Sequence, residues 1–477
     1  MPLDDSRRRR LPSWRREALR TTLWLVPMLC VAAALVLFAV TYSLDEAVYR
    51  GALVLPSWIR TSSADGGREI LIGIAAAVIT VVGVVFSITI LALTLASQQF
   101  GPRMLRTFIR DFGTQLTLGV FVGSFVFAVL ALGSITDGAR PFVPHIGISV
   151  AEALMFVDIA VLIYFIHHIA VTIQLPEVID RIARDLGRAI EECFPDVPTD
   201  SGGPRHDASA QLSAADAALA VDGLTVFATA SGYLQFVGYG QLMEIAEATD
   251  TVIRLVHRPG HFIVAGRPLA RVWPAERAFE VVNSLARAHI TGPQRTLAQD
   301  PVFPIDQLVE IGIRALSPAV NDTFTALTCI DWLSDGLCRI SGQVLAEGVY
   351  RDRDGRIRLI EFDPSYARMV NRAFDKVRQS SRGMPAVLIR LMDSLAHITE
   401  YTREPEQRQV LRRQAEMILR AAEDSIPEPE DRADVRAQFE RMVAVVDRLD
   451  SGEGRRRTWV GAAPAGSRRR RRRPVVD

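Results

Sequence analysis

The sequence predicts a membrane α-helical domain of four transmembrane helices, followed by a cytoplasmic α+β domain that is mainly helical and carries a small β module. Three observations predict it. Four long apolar stretches occupy the first third of the chain; the composition turns polar from about residue 175; and short alternating segments broken by Pro-Gly and Asp-Gly follow. With 477 residues, 49% of them apolar, the chain is long enough for two or three folding units.

Residues 1–21 form a basic cytoplasmic N-terminus, with Arg7 to Arg10, Arg15, Arg16 and Arg20. The apolar stretches 22–42, 70–96, 115–135 and 147–171 each reach the roughly 20 residues that cross a hydrocarbon core as a helix. Together they make a four-span domain over 22–171. The first is read as a retained span, because its run is too long for a signal peptide and ends in "AVTYSLDEAVYR" without a small-residue cleavage site. Arginines crowd the N-terminus and the "GPRMLRTFIRD" loop, so the positive-inside rule puts both termini in the cytoplasm. Residues 172–211 read as a juxtamembrane helix, "PEVIDRIARDLGRAIEECF", and a linker by composition over 196–211. An α/β module spans 212–274: "SGYLQFVGY", "DTVIRLVHR" and "HFIVAGRPLARVW" read as strands around the helix "GQLMEIAEAT". Residues 275–450 are mainly helical, interrupted by a hairpin in "GVYRDRDGRIRLIEF". The Arg-rich tail, 451–477, is expected to be disordered.

Three segments carry a family likeness: "VVFSITILALTLASQQFGPRMLRTFIRD", "GYLQFVGY" with "VIRLVHRPGHFIVAGRPLARVWP", and "RTLAQDPVFPIDQLVEIGIRALSPAVNDTFTALTCID". The chain resembles a bacterial family of predicted membrane proteins of unknown function. The resemblance implies a four-helix anchor in the bacterial plasma (inner) membrane with a large cytoplasmic part, and it implies no activity. Thr323 and His261 depart from the family pattern, which has proline and an acidic residue at those places.

Composition excludes several chemistries. Lys376 is the only lysine, so there is no Walker A lysine, and no lysine in residues 212–300 to carry a biotinyl or lipoyl group; no cofactor is predicted. Cys30, Cys193, Cys329 and Cys338 lack paired metal spacing and read as reduced thiols. His167 and His168 are adjacent and point apart, and no metal site is predicted.

The candidate sites are polar groups in apolar surroundings. Gly73, Thr80, Ser87, Thr94 and Gly101 recur every seven residues along the second span, with Ser97, Gln98 and Gln99 at its end. Such a row is a helix-packing seam, or the lining of a pore or oligomer axis. Asp158, near the middle of the fourth span, must be paired, protonated or wetted. In "RALSPAVNDTFTALTCID", Asn321 or Asp322 is placed to cap a helix. If the loops before the two helices meet, Arg295, Thr296, Gln299 and Asp300 join Ser317, Asn321, Asp322 and Thr325 in a pocket for an anionic or polyhydroxyl ligand. Expected partners are the lipid bilayer, anionic lipids at the Arg-rich termini, and further copies of the chain as a homo-oligomer; nucleic acid is not expected. A non-enzymatic channel-like or sensor protein with a cytoplasmic ligand- or partner-binding domain is the first reading. A membrane-anchored enzyme acting on a lipid or envelope precursor, with Asp300 and Asp322 as acid, base or metal ligands, and a membrane scaffold are the alternatives.

Overall fold

The computed structural model describes residues 25–53, 63–100, 111–137, 141–193, 205–343, 348–362 and 365–452. It divides into two compact units, with the boundary between Arg181 and Ile182.

The first unit is built on four helices long and apolar enough to cross a membrane: α1 (Leu25–Tyr49), α2 (Ala64–Phe100), α3 (Phe112–Gly133) and α4 (His145–Thr172). α3 and α4 each touch the other three, and α3 packs the more extensively. Its Phe121, Phe127, Ala128 and Ala131 pack with Leu71, Ile74 and Val78 of α2 and with Ile148, Ala151 and Phe165 of α4. α1 approaches α3 closely because Gly119 faces Cys30, where a Cβ would sit 2.8 Å from the sulfur. Two carboxylates close helix ends. Asp45 of α1 accepts the N–H groups of Ile146 (2.8 Å) and Gly147 (2.9 Å), donors that the first turn of α4 cannot satisfy internally. Asp111 caps α3 by accepting from Thr114 N (2.8 Å), and lies 2.6 Å from His168 Nε2. His168 is thus paired with a carboxylate.

The second unit begins within α5 (Leu175–Cys193) and continues with α6 (Arg205–Asp222). Residues 205–211, read as linker from composition, belong to α6. The Ala-rich run "DASAQLSAADAALA" is good helix-forming sequence and carries the helix upstream. The chain then passes through β1 (Leu224–Phe227), β2 (Gly232–Val237), α7 (Tyr239–Ala248), β3 (Val252–Leu255), β4 (Phe262–Ile263), β5 (Pro268–Trp273), α8 (Ala278–Ala288) and β6 (His289–Gly292). The helices α9 (Val302–Ala315) and α10 (Thr323–Gly342) follow, then the hairpin β7 (Val349–Arg351) and β8 (Ile357–Ile360). Four helices end the unit: α11 (Tyr366–Ser380), α12 (Pro385–Tyr401), α13 (Pro405–Ser425) and α14 (Pro429–Asp450).

The strands form two sheets, ordered β1-β5-β3-β8-β7 and β4-β2-β6. Neighbours are antiparallel except β3 and β8, which run parallel. The strand module is therefore not closed at residue 274: β6 completes the smaller sheet, and the later hairpin extends the larger one. Leu234, Leu242, Ile253, Leu255, Val272, Val281, Leu285 and Leu359 fill the core between sheets and helices. The helical part packs around Leu308, Ile330, Leu333, Phe374, Leu388, Leu391 and Ile418, all buried.

Candidate functional site

The densest buried charge among the described residues lies where the turn after β3 meets the segment before α9. The turn is "VHRPGH", 256–261. A proline at 259 biases the preceding Arg258 toward extended backbone. Gly260 adopts φ +91° and donates its N–H to Leu234 O at 2.7 Å, while Leu234 N donates to His261 O at 2.8 Å, stapling the turn to β2. A side chain at 260 would collide with Asp300: a Cβ there would sit 2.1 Å from Oδ2. Glycine is required by both the backbone angle and the approach.

The opposing segment is laid along β2. The Gln299 amide accepts from Val237 N (2.9 Å) and donates to Val237 O (3.1 Å), acting as a strand partner, and Gln235 Nε2 donates to Gln294 O (2.7 Å). Thr296 Oγ1 donates a longer bond to Gln235 O (3.4 Å). This fixes Arg295 and Asp300. Asp300 is fully buried, and its Oδ2 accepts from Arg295 Nε (3.0 Å) and Nη2 (2.7 Å). Arg295 Nη1 reaches Asp306 Oδ2 (2.5 Å), and Asp306 accepts a second fork from Arg372 of α11 through Nε and Nη2. One turn back on α11, Arg368 lies over the ring of Phe362, 5.3 Å from its centroid, and His261 meets the same ring edge-on at 5.2 Å.

Arg258 is the odd member of this cluster. Its side chain is only 9% exposed, Nη1 is 3.7 Å from Asp300 Oδ1, and neither Nε nor that Oδ1 has a hydrogen-bond partner. Burial pulls the Arg258 pKa down, and Arg295, Arg368 and Arg372 pull it down further as like charges, while Asp300 alone opposes them. Burial also raises the Asp300 carboxyl in spite of Arg295. His261 is pushed down to about 4, first by burial and then by Arg258 and its neighbours, so it is neutral at pH 7. Four arginines face two aspartates, and the surplus charge is positive.

The predicted pocket is divided between two places. Arg295, Thr296, Gln299 and Asp300 stand together before α9; Ser317, Asn321, Asp322 and Thr325 stand beyond its other end. A 14-residue helix is about 21 Å long, so the two loops do not meet. The second group is a local turn and cap. Ser317 Oγ donates to Arg314 O (2.7 Å), Asn321 takes φ +49° in the turn, and Asp322 caps α10 by accepting from Thr325 N (3.1 Å) and Oγ1 (2.6 Å). Asp300 and Asp322 consequently stand at opposite ends of α9. Sequence reasoning missed Arg258, Asp306, Arg368 and Arg372. Arg368 and Arg372, four apart on one helical face, were the available signal.

In the first unit, Asp158 is buried and accepts from Ser124 Oγ of α3 at 3.0 Å, while its Oδ2 has no hydrogen-bond partner. Thr80, Ser87 and Thr94 are exposed on α2, and each hydroxyl donates to the carbonyl four residues back. The row thus faces away from the other three spans. The side chain of Gln98, Gly101 and both arginine-rich termini lie outside the described residues.

The family model described as Predicted membrane protein (DUF2254) matches residues 20–397. Two relatives are similar over most of the chain: Uncharacterized protein Mb1321c of Mycobacterium bovis and Uncharacterized protein Rv1290c of Mycobacterium tuberculosis. Each is 32% identical over 442 residues, covering 91% of this chain and 82% of the relative. No solved structure matches the chain.

Proposed function

The chain belongs to the predicted membrane protein family DUF2254, and from that premise we propose a non-enzymatic, ligand-responsive protein of the bacterial inner membrane. Both termini lie in the cytoplasm, and the second unit binds a small anion at the arginine cluster. One observation carries the reading: Arg258, a cation nine-tenths buried, with an unbonded Nε and a lone counter-charge already gripped by Arg295. A buried polar group without a partner costs free energy that a bound anion would recover. The test is a thermal melt of the purified full-length protein in detergent, with phosphate, sulfate or a dicarboxylate against chloride at matched ionic strength. A ligand at a hundred times its Kd stabilises by about 2.7 kcal/mol, which raises Tm by roughly 5–10 °C for a domain of this size. If no anion raises Tm above the chloride control, the reading fails.

A second reading concerns the membrane unit. The exposed row Gly73, Thr80, Ser87 and Thr94 presents small side chains, and small residues let helices of separate copies approach closely. A homo-oligomer packed along α2, with Gln98 toward its end, is the channel-like form of the proposal, and Asp158, bonded to Ser124 of α3, is the buried carboxylate inside each copy's own bundle. Native mass spectrometry would show a closed ring, and Asp158→Asn would alter flux in vesicles; a monomer in gentle detergent would count against it. The arginine-rich termini then hold anionic headgroups at the negatively charged cytoplasmic leaflet.

A further inference from the structure

Resting on the anion-responsive reading above, we infer that the ligand is a phosphate monoester, held as a dianion by Arg258, Arg368 and Arg372. Charge and shape both select it. Arg295 is spent on Asp300 and Asp306, and Arg372 gives Nε and Nη2 to Asp306. Arg258 keeps a free Nε, and Arg368 has no carboxylate in salt-bridge reach among the described residues. Four arginines against two aspartates leave two positive charges, which a monoester of about −1.5 to −2 charge at pH 7 neutralises and a singly charged diester does not. The three arginines come from different places: Arg258 from the turn after β3, Arg368 and Arg372 from successive turns of α11. A carboxylate is planar and is met bidentately by a single guanidinium fork. A tetrahedral group with three outward oxygens uses donors arriving from several directions. Depth is graded as well: the Arg258 side chain is 9% exposed and that of Arg372 50%, so the donors offered to the anion run from buried to half-exposed.

The experiment is isothermal titration of the full-length protein in phosphate-free detergent buffer at pH 7.5, with glycerol 3-phosphate and, as a planar dianion, succinate. A lipid source is tested in parallel by co-sedimentation with phosphatidylcholine vesicles carrying phosphatidic acid, a monoester, or phosphatidylglycerol, a diester. Glycerol 3-phosphate is expected to bind at least tenfold more tightly than succinate. Arg258→Gln and Arg372→Gln are each expected to weaken it at least tenfold; the second side chain sits on a half-exposed helix surface, so its loss leaves the fold intact. Binding only to phosphatidic acid vesicles, lost in both variants, supports the same class and makes the ligand a lipid headgroup. The inference is overturned if neither monoester binds, or if both variants bind as the parent does. Arg258-dependent succinate binding without monoester binding would reject the phosphate class and leave the anion-responsive reading standing. Absence of binding by every anion would reject both.

Discussion

Replacing Asp300 by asparagine tests the account of the arginine cluster most directly. The carboxylate is fully buried, receives two bonds from Arg295, and is the nearest counter-charge to Arg258 at 3.7 Å. Because burial raises its pKa despite Arg295, the ionised Asp300 is not itself a net source of stability. The loss in Asp300→Asn comes from what is stranded. Removing one member of a buried ion pair costs about 3–5 kcal/mol. Arg295 keeps Asp306, so the stranded charge is chiefly Arg258, and the lower end, about 3 kcal/mol, applies. At about 2–4 °C per kcal/mol for a domain of this size, Tm falls by roughly 6–12 °C. The assay is a tryptophan-fluorescence melt of the full-length protein in phosphate-free detergent buffer, in which Trp273 and Trp332 report on the second unit. Adding Arg258→Met to Asp300→Asn removes the stranded cation and is expected to recover more than half the loss. A single variant within about 2 °C of the parent, or a double variant whose losses simply add, would refute the reasoning.

Three other outcomes are expected. Asp322→Ala removes the cap of α10 and costs about 0.5–2 kcal/mol in denaturant titration, without touching anion binding. Thr325 holds the Asp322 carboxyl below its ordinary value, so this contribution is present above the unfolded pKa and fades as pH falls through the folded one. Ser124→Ala strips Asp158 of its partner and destabilises the first unit by about 0.6 kcal/mol, at most about 1.7, measured by detergent denaturation, whereas Ser124→Thr preserves the bond. His261 titrates near 4 when folded against about 6.5 unfolded, so the folded state binds fewer protons across that window and stability declines as pH drops from about 6.5 toward 4. His261→Gln is expected to flatten that part of the pH-stability curve, and an unchanged slope would assign it elsewhere.

The spans were legible because each is a local run of apolar residues, with no partner needed to recognise it. β2, β3, β5 and the late hairpin were legible for a similar reason, since alternation and a Pro-Gly or Asp-Gly turn mark them within a few residues. β1, "LTVF", and β6, "HITG", are too short to show a period and exist because Val272 and Tyr233 await them across the sheets. The candidate site was half legible. Asp300 and Arg295 were singled out as excess polarity near a helix start, but they were joined to the wrong loop. That juxtaposition required the loops flanking α9 to converge, and a straight helix instead keeps its ends apart. The true partners arrive from β3 and α11, positions that only tertiary pairing brings near. His261 and Gly260 were read as a turn, and nothing local reveals that Gly260 is small to admit a carboxylate.

Buried polarity separates structural groups from a functional candidate when each is asked what it bonds. Asp45 closes a helix end, Gln299 completes a strand, and Glu361 accepts from Tyr239 and Tyr350; each is answered within the chain. Arg258 is not. Removing one member of a buried pair is costly when it strands the other, but Asp300 keeps two bonds from Arg295, so loss of Arg258 strands no charge. The fold therefore does not need Arg258, and stability and binding should move in opposite directions on its removal. Arg258→Met is expected to melt no lower than the parent without added anion, and to lose the stabilisation by phosphate that the parent shows. A variant that melts several degrees lower and still responds to phosphate would make Arg258 a structural residue and empty the cluster of its ligand.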